Sequence, residues 1–132
     1  MKPIGIVGLV AGACLCAQSV SAHHSFAATY LEKETVSVEG ELVQFEFRNP
    51  HSFVQLESKD ADGNVVRWTI EWAAPNQLAG KGITRESLRP GDHVVITGNP
   101  GRNPADRRIR LLTLLRPKDN FGWGQSPDEV FK

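Results

Sequence analysis

Histidine is the side chain best placed to do chemistry near neutral pH, because its ring titrates there and its neutral nitrogens bind metals. The chain has four: His23, His24, His51 and His93. The first two are adjacent and follow Val20-Ser21-Ala22, whose small or aliphatic third-last and last residues suit signal peptidase. Cleavage after Ala22 makes His23 the first residue of the exported chain. Its amine and ring then supply two nitrogen donors, with ordinary pKa values of about 7.7–8.0 and 6.5, and a metal displaces both protons readily. A third nitrogen completes the tetragonal set that Cu(II) favours. His51, in Asn49-Pro50-His51, is the first candidate and His24 the second. Zn(II) accepts the same donors. Cleavage one residue earlier leaves Ala22 first and His24 third, which is also a copper-binding start, through amine, amides and ring. A plainer reading fits the same residues: a polar arm, with His51 ending a strand. His93 follows a turn and is expected to face solvent.

Sulfur takes no part. Cys14, Cys16 and the one methionine, Met1, all precede the cleavage point, so the mature chain has no disulfide and no soft ligand. Periplasmic copper(I) chaperones with a small OB barrel resemble the chain only in size and expected location, since they hold Cu(I) through methionine.

Other constellations are weaker. Glu71 with His51 would make an acid/base pair, but no nucleophile elbow, phosphate loop or paired carboxylates support catalysis. No catalytic residue is assigned, and a non-enzymatic binding domain is expected. Asp60-Ala61-Asp62-Gly63-Asn64 with Glu71 resembles a calcium loop, yet Val65 stands where glycine is needed. Trp68, Glu71 and Trp72 are the candidate face for a small ligand, an envelope protein or a glycan, although both tryptophans also suit the core. Fifteen basic residues balance fifteen acidic ones, which gives no global field for nucleic acid. Arginines gather in the C-terminal third and Glu32, Glu34, Glu39 and Glu41 near the start, as solvated faces of a small barrel would.

The elements that must position these residues begin after a leader. Lys2 precedes an apolar run from Ile4 to Cys16, too short for a permanent span. Residues 1–22 therefore read as a signal peptide and 23–132 as one periplasmic or secreted domain, with a tail from about 117. Lipidation at Cys14 is the alternative, without the leucine usual three places upstream.

Residues 23–33 lack a period and read as an arm. From Thr35 to Phe47 the buried parity switches from Val36, Val38 and Leu42 to Val43, Phe45 and Phe47, with Gly40 nearby. Such a switch predicts a bulge where a sheet turns a barrel corner. Asn49-Pro50-His51 ends that strand. Ser52–Ser58 is the second, residues 60–64 a hairpin loop, and the stretch from Val65 to Trp72 a third, with Val66, Trp68, Ile70 and Trp72 inward. Pro75 opens a short helix with Leu78 and Ala79 as its apolar contacts. Thr84 caps a brief turn through Leu88, and Arg89-Pro90-Gly91-Asp92 fits a type II turn. His93–Thr97 is strand four, 98–106 a long loop, and Ile109–Leu115 strand five, with Ile109, Leu111, Thr113 and Leu115 in phase. Phe121, Trp123 and Phe131 would fold the tail back. The prediction is an all-β, small five-stranded OB-like barrel with a short helix between strands three and four. A small open sandwich is the alternative.

Ala22-His23-His24-Ser25-Phe26, Asn49-Pro50-His51, Trp68 with Glu71, Pro75-Asn76 with Leu78 and Gly82, and Pro90-Gly91-Asp92 with Val94 and Gly98 occur in that order. In this the chain resembles an exported bacterial domain-of-unknown-function family, number six-one-five-two, from Ala22 to Leu115. The arginine-rich strand five and longer tail depart from it. The resemblance implies export and an OB-like barrel, and no established activity. Matching the family's histidines makes His23, His24 and His51 the residues to test.

Overall fold

The structure is a computed structural model and describes residues 26–124; His23, His24 and Phe131 lie outside them. Strand β1 is Val36–Glu46. Its first half pairs antiparallel with β4, His93–Pro100. The second half pairs antiparallel with β2, Phe53–Lys59. One strand thus serves two neighbours by turning a corner. The register against β2 shifts between Leu42 and Gln44, so Val43 is the extra residue and the predicted change of buried face is a bulge there. Gly40 lies where the two backbones approach most closely: a Cβ on it would meet the Glu57 carbonyl.

β2 pairs with β3, Val65–Glu71, through a hairpin. The Asp60 carboxylate accepts hydrogen bonds from the Asp62 and Asn64 amides, and Gly63 takes a φ of 83°. That confirms the hairpin reading of this loop. β3 then pairs parallel with β5, Arg108–Arg116, over Thr69–Glu71 and Arg108–Arg110. With β4 antiparallel to β5, the five strands close into a barrel, and the open sandwich is excluded. Closure leaves the barrel strands few free backbone groups.

Three details correct the sequence reading. A sixth strand, β6 (Phe121–Gly124), adds to β5 within the expected tail. β4 runs on to Pro100, past the expected end at Thr97, and a 3-10 turn at Pro104–Asp106 shortens the loop. On β5, Gly98 faces Leu111 while Thr97 faces Thr113. Leu112 therefore bulges outward, 37% exposed, and Leu114 takes the buried place expected of Thr113 and Leu115.

Leu56, Ile70, Ile96, Ile109 and Leu114 centre the core with no exposed surface, each contributing about 1.5–3 kcal/mol. Helix α1, Pro75–Ala79, begins at its proline as predicted. Leu78 is buried, but Ala79 is exposed; Ile83 and Leu88 complete that contact instead. The turn at Arg89–Asp92 closes with Asp92 N donating to Arg89 O, and Gly91 has φ 90°. No helix among the described residues is long and apolar enough to cross a membrane.

From Phe26 onward the predicted arm is anchored. After a single helical turn at residues 26–29, Tyr30 bridges to Gly101. Leu31 N donates to Pro100 O, and Arg102 Nε donates to Ala27 O at 2.7 Å. Tyr30 is 1% exposed.

Candidate functional site

Backbone register brings four chain segments to one end of the barrel. Ser52 N donates to Ala73 O and Trp72 N to Ser52 O, which extends the β2–β3 ladder beyond the strand ends. Phe53 is paired with Glu71. His51 has the parity of Phe53, so it projects on the side of the sheet that Glu71 occupies. The parallel β3–β5 register sets Arg110 opposite Glu71 and Arg108 two places before it. Anchoring of the arm adds Phe26 and Tyr30.

Glu71, its side chain 12% exposed, is the hub. Its Oε1 lies 2.6 Å from His51 Nδ1. Oε2 accepts a hydrogen bond from the Tyr30 hydroxyl at 2.5 Å and lies 3.5 Å from Arg108 Nη2. Charge-assisted bonds of this kind are about twice as strong as neutral ones. Burial pushes the Tyr30 hydroxyl pKa well above its ordinary value, and the Glu71 hydrogen bond and negative charge push it further; Arg108 opposes them. The tyrosine therefore remains a proton donor at any physiological pH.

Around this hub, the His51 ring stacks on Phe26 with centroids 5.5 Å apart. The Arg110 guanidinium lies 3.9 Å from the Phe26 centroid and reaches Glu32 at 3.1 Å. A cavity of about 260 Å³ opens here, bounded by Phe26, His51, Glu71, Trp72, Gln77, Arg110 and Trp123. Chemically, the carboxylate fixes the His51 ring, presenting Nε2 as a base, a donor or a ligand according to its proton.

Glu71 and His51, which the sequence offers only as an unsupported acid/base pair, are in direct contact. Tyr30, Arg108, Arg110 and Phe26 were not singled out as site residues. The arginines had one available signal: in an OB-like strand order β5 lies beside β3, so arginines two apart on β5 flank Glu71. Tyr30 had none. His93 is exposed, as expected, and contacts Glu39 at 2.7 Å.

Trp68, Glu71 and Trp72 do not form one outer face. Trp72 is 4% exposed and packs in the core against Phe45 and Trp123. Trp68 lies about 13 Å back along the strand, where its Nε1 donates to Ser58 Oγ and Arg107 stacks on its ring. The strand alternates: Trp68, buried Ile70 and Trp72 share the inward parity, while exposed Arg67 lies on the other face. Among the described residues, no three His, Cys, Asp or Glu side chains gather as a metal-binding group.

No curated protein matches the chain. Residues 11–109 match a family of unknown function, DUF6152, and the chain belongs to that family.

Proposed function

We propose that the protein is an exported, periplasmic or secreted binding domain that holds Cu(II), or Zn(II), through His51, His23 and His24, and that it is not an enzyme. One arrangement carries the reading. Glu71 engages Nδ1 of His51, Phe26 stacks on the ring, and Nε2 has no hydrogen-bond partner among the described residues. Metal-binding histidines commonly give their other ring N–H to a carboxylate, which fixes the tautomer and aims the free nitrogen at the ion. Two residues of chain reach at most about 7 Å, and three about 11 Å. From Phe26, His24 and His23 are therefore within reach of an ion at His51, and cleavage after Ala22 would add the His23 amine.

The test uses processed, untagged protein and calorimetry with Cu(II). A single equivalent should bind, a Met placed before His23 should abolish binding, and Glu71→Gln should weaken it about 10–100-fold. Equal, weak binding by the processed and Met-extended proteins ends the proposal. Metal analysis of protein taken from the periplasm identifies the ion.

A further inference from the structure

We propose that the cavity beside Phe26 binds a small organic carboxylate with a flat apolar body, and that it does so without a metal. The reasoning is a balance of donors against acceptors in its wall. Trp72 lines the cavity, is 4% exposed, and its Nε1–H finds no acceptor among the described residues. Leaving such a donor unpaired costs about 1–3 kcal/mol, but the nitrogen is buried away from the open space of the cavity, so the donors an occupant can reach are those of Gln77 and Arg110. Gln77 already uses its side-chain oxygen to accept from Ala74 N at 3.3 Å, which leaves its amide N–H groups to donate. Arg110 uses one Nη on Glu32 and one face on Phe26; its remaining N–H groups stay available. The wall's carboxylate, Glu71, is already engaged by Tyr30, His51 and Arg108. Against these donors the wall offers one open acceptor, His51 Nε2 on the tautomer whose Nδ1–H is given to Glu71, so donors remain in surplus and the occupant must bring acceptor oxygens.

The remainder of the wall describes the occupant's body. Phe26, Trp72 and Trp123 are aromatic, with Trp72 and Trp123 set edge to face at 5.5 Å. The cavity's 260 Å³ or so exceeds the roughly 150 Å³ that holds benzene in an engineered core, so a single ring with a carboxylate fits. Glu32 shares the charge of Arg110, so affinity in the millimolar range is expected rather than tight binding.

This site does not rest on the copper reading, and its test uses metal-free protein so that either can fail alone. Nitrogen-15 spectra resolve the indole N–H resonances of three tryptophans, and Trp72 is assigned by its loss in Trp72→Phe. Sodium benzoate should shift the Trp72 resonance saturably, because that ring lines the cavity, and leave Trp68, about 13 Å back along the strand, in place. Benzylamine, equal in shape and opposite in charge, should not. Gln77→Ala, at an exposed position, and Arg110→Ala, outside the buried core, should each weaken benzoate at least fivefold. A linear drift without saturation, an equal response to benzylamine, or unchanged affinity in both variants overturns the proposal.

Discussion

Tyr30→Phe isolates one hydroxyl. The ring and its neighbours Phe26 and Arg108 stay, while the hydrogen bond to Glu71 goes. A hydrogen bond to a charged acceptor contributes about 1.5–3 kcal/mol. Glu71 keeps His51 and the longer Arg108 contact, so the loss should fall near the middle of that range, about 2 kcal/mol. For a domain of this size, that lowers Tm by roughly 10 °C. In urea, with an m-value of about 2 kcal/mol/M, it moves the midpoint by about 1 M. A cycle with Glu71→Gln should show the two changes costing less together than their sum, by about 1 kcal/mol or more. The chain has a single tyrosine, so ultraviolet titration reads this group alone. Its folded pKa is raised; the stabilisation is therefore complete below the unfolded value of about 10 and is lost as pH rises through the folded value. A Tyr30→Phe cost under about 0.5 kcal/mol, strict additivity with Glu71→Gln, or tyrosinate appearing at about pH 10 in the folded protein would refute the reasoning.

Gly40→Ala places a methyl group on the Glu57 carbonyl and should cost at least about 3 kcal/mol by urea unfolding; a cost under about 1 kcal/mol would show that the corner yields. Arg116 Nε and Nη2 donate to Asp119 at 2.9 and 2.8 Å, and Nη1 donates to Asp92 at 2.7 Å. The Arg116 hydrogen bond holds the Asp119 pKa below the ordinary carboxylate value, so its stabilisation is present above about pH 4 and fades as pH falls through the lowered pKa. Arg116→Gln should flatten that acid limb, and parallel pH–stability curves for the two proteins would contradict it.

How much of this is legible in the sequence depends on how local the cause is. The β3 alternation, the Pro90-Gly91 turn and the Asp60–Asn64 hairpin are decided by neighbours within a few residues, and each formed where its pattern indicates. The parity change in β1 was also visible, although its bulge falls at Val43 and Gly40 serves the close approach instead. Phe121-Gly122-Trp123-Gly124 gave no strand signal because two of its four residues are glycine. Its extended state comes from pairing with β5. Leu112 looked like an ordinary member of an alternating strand, and only the register against Gly98 pushes it outward. In the site, His51 and Glu71 were readable as a pair of polar residues at strand ends. Tyr30 reaches Glu71 across forty-one positions, a separation that no local pattern encodes.

The stitching of the first helical turn to the Gly101–Arg102 corner has a practical consequence. Whatever is fused a few residues ahead of Phe26 starts its path from a fixed origin, alongside the imidazole of His51. A polyhistidine purification handle on that end would deliver competing imidazoles onto the very surface under study. Handles for this protein belong at the opposite terminus.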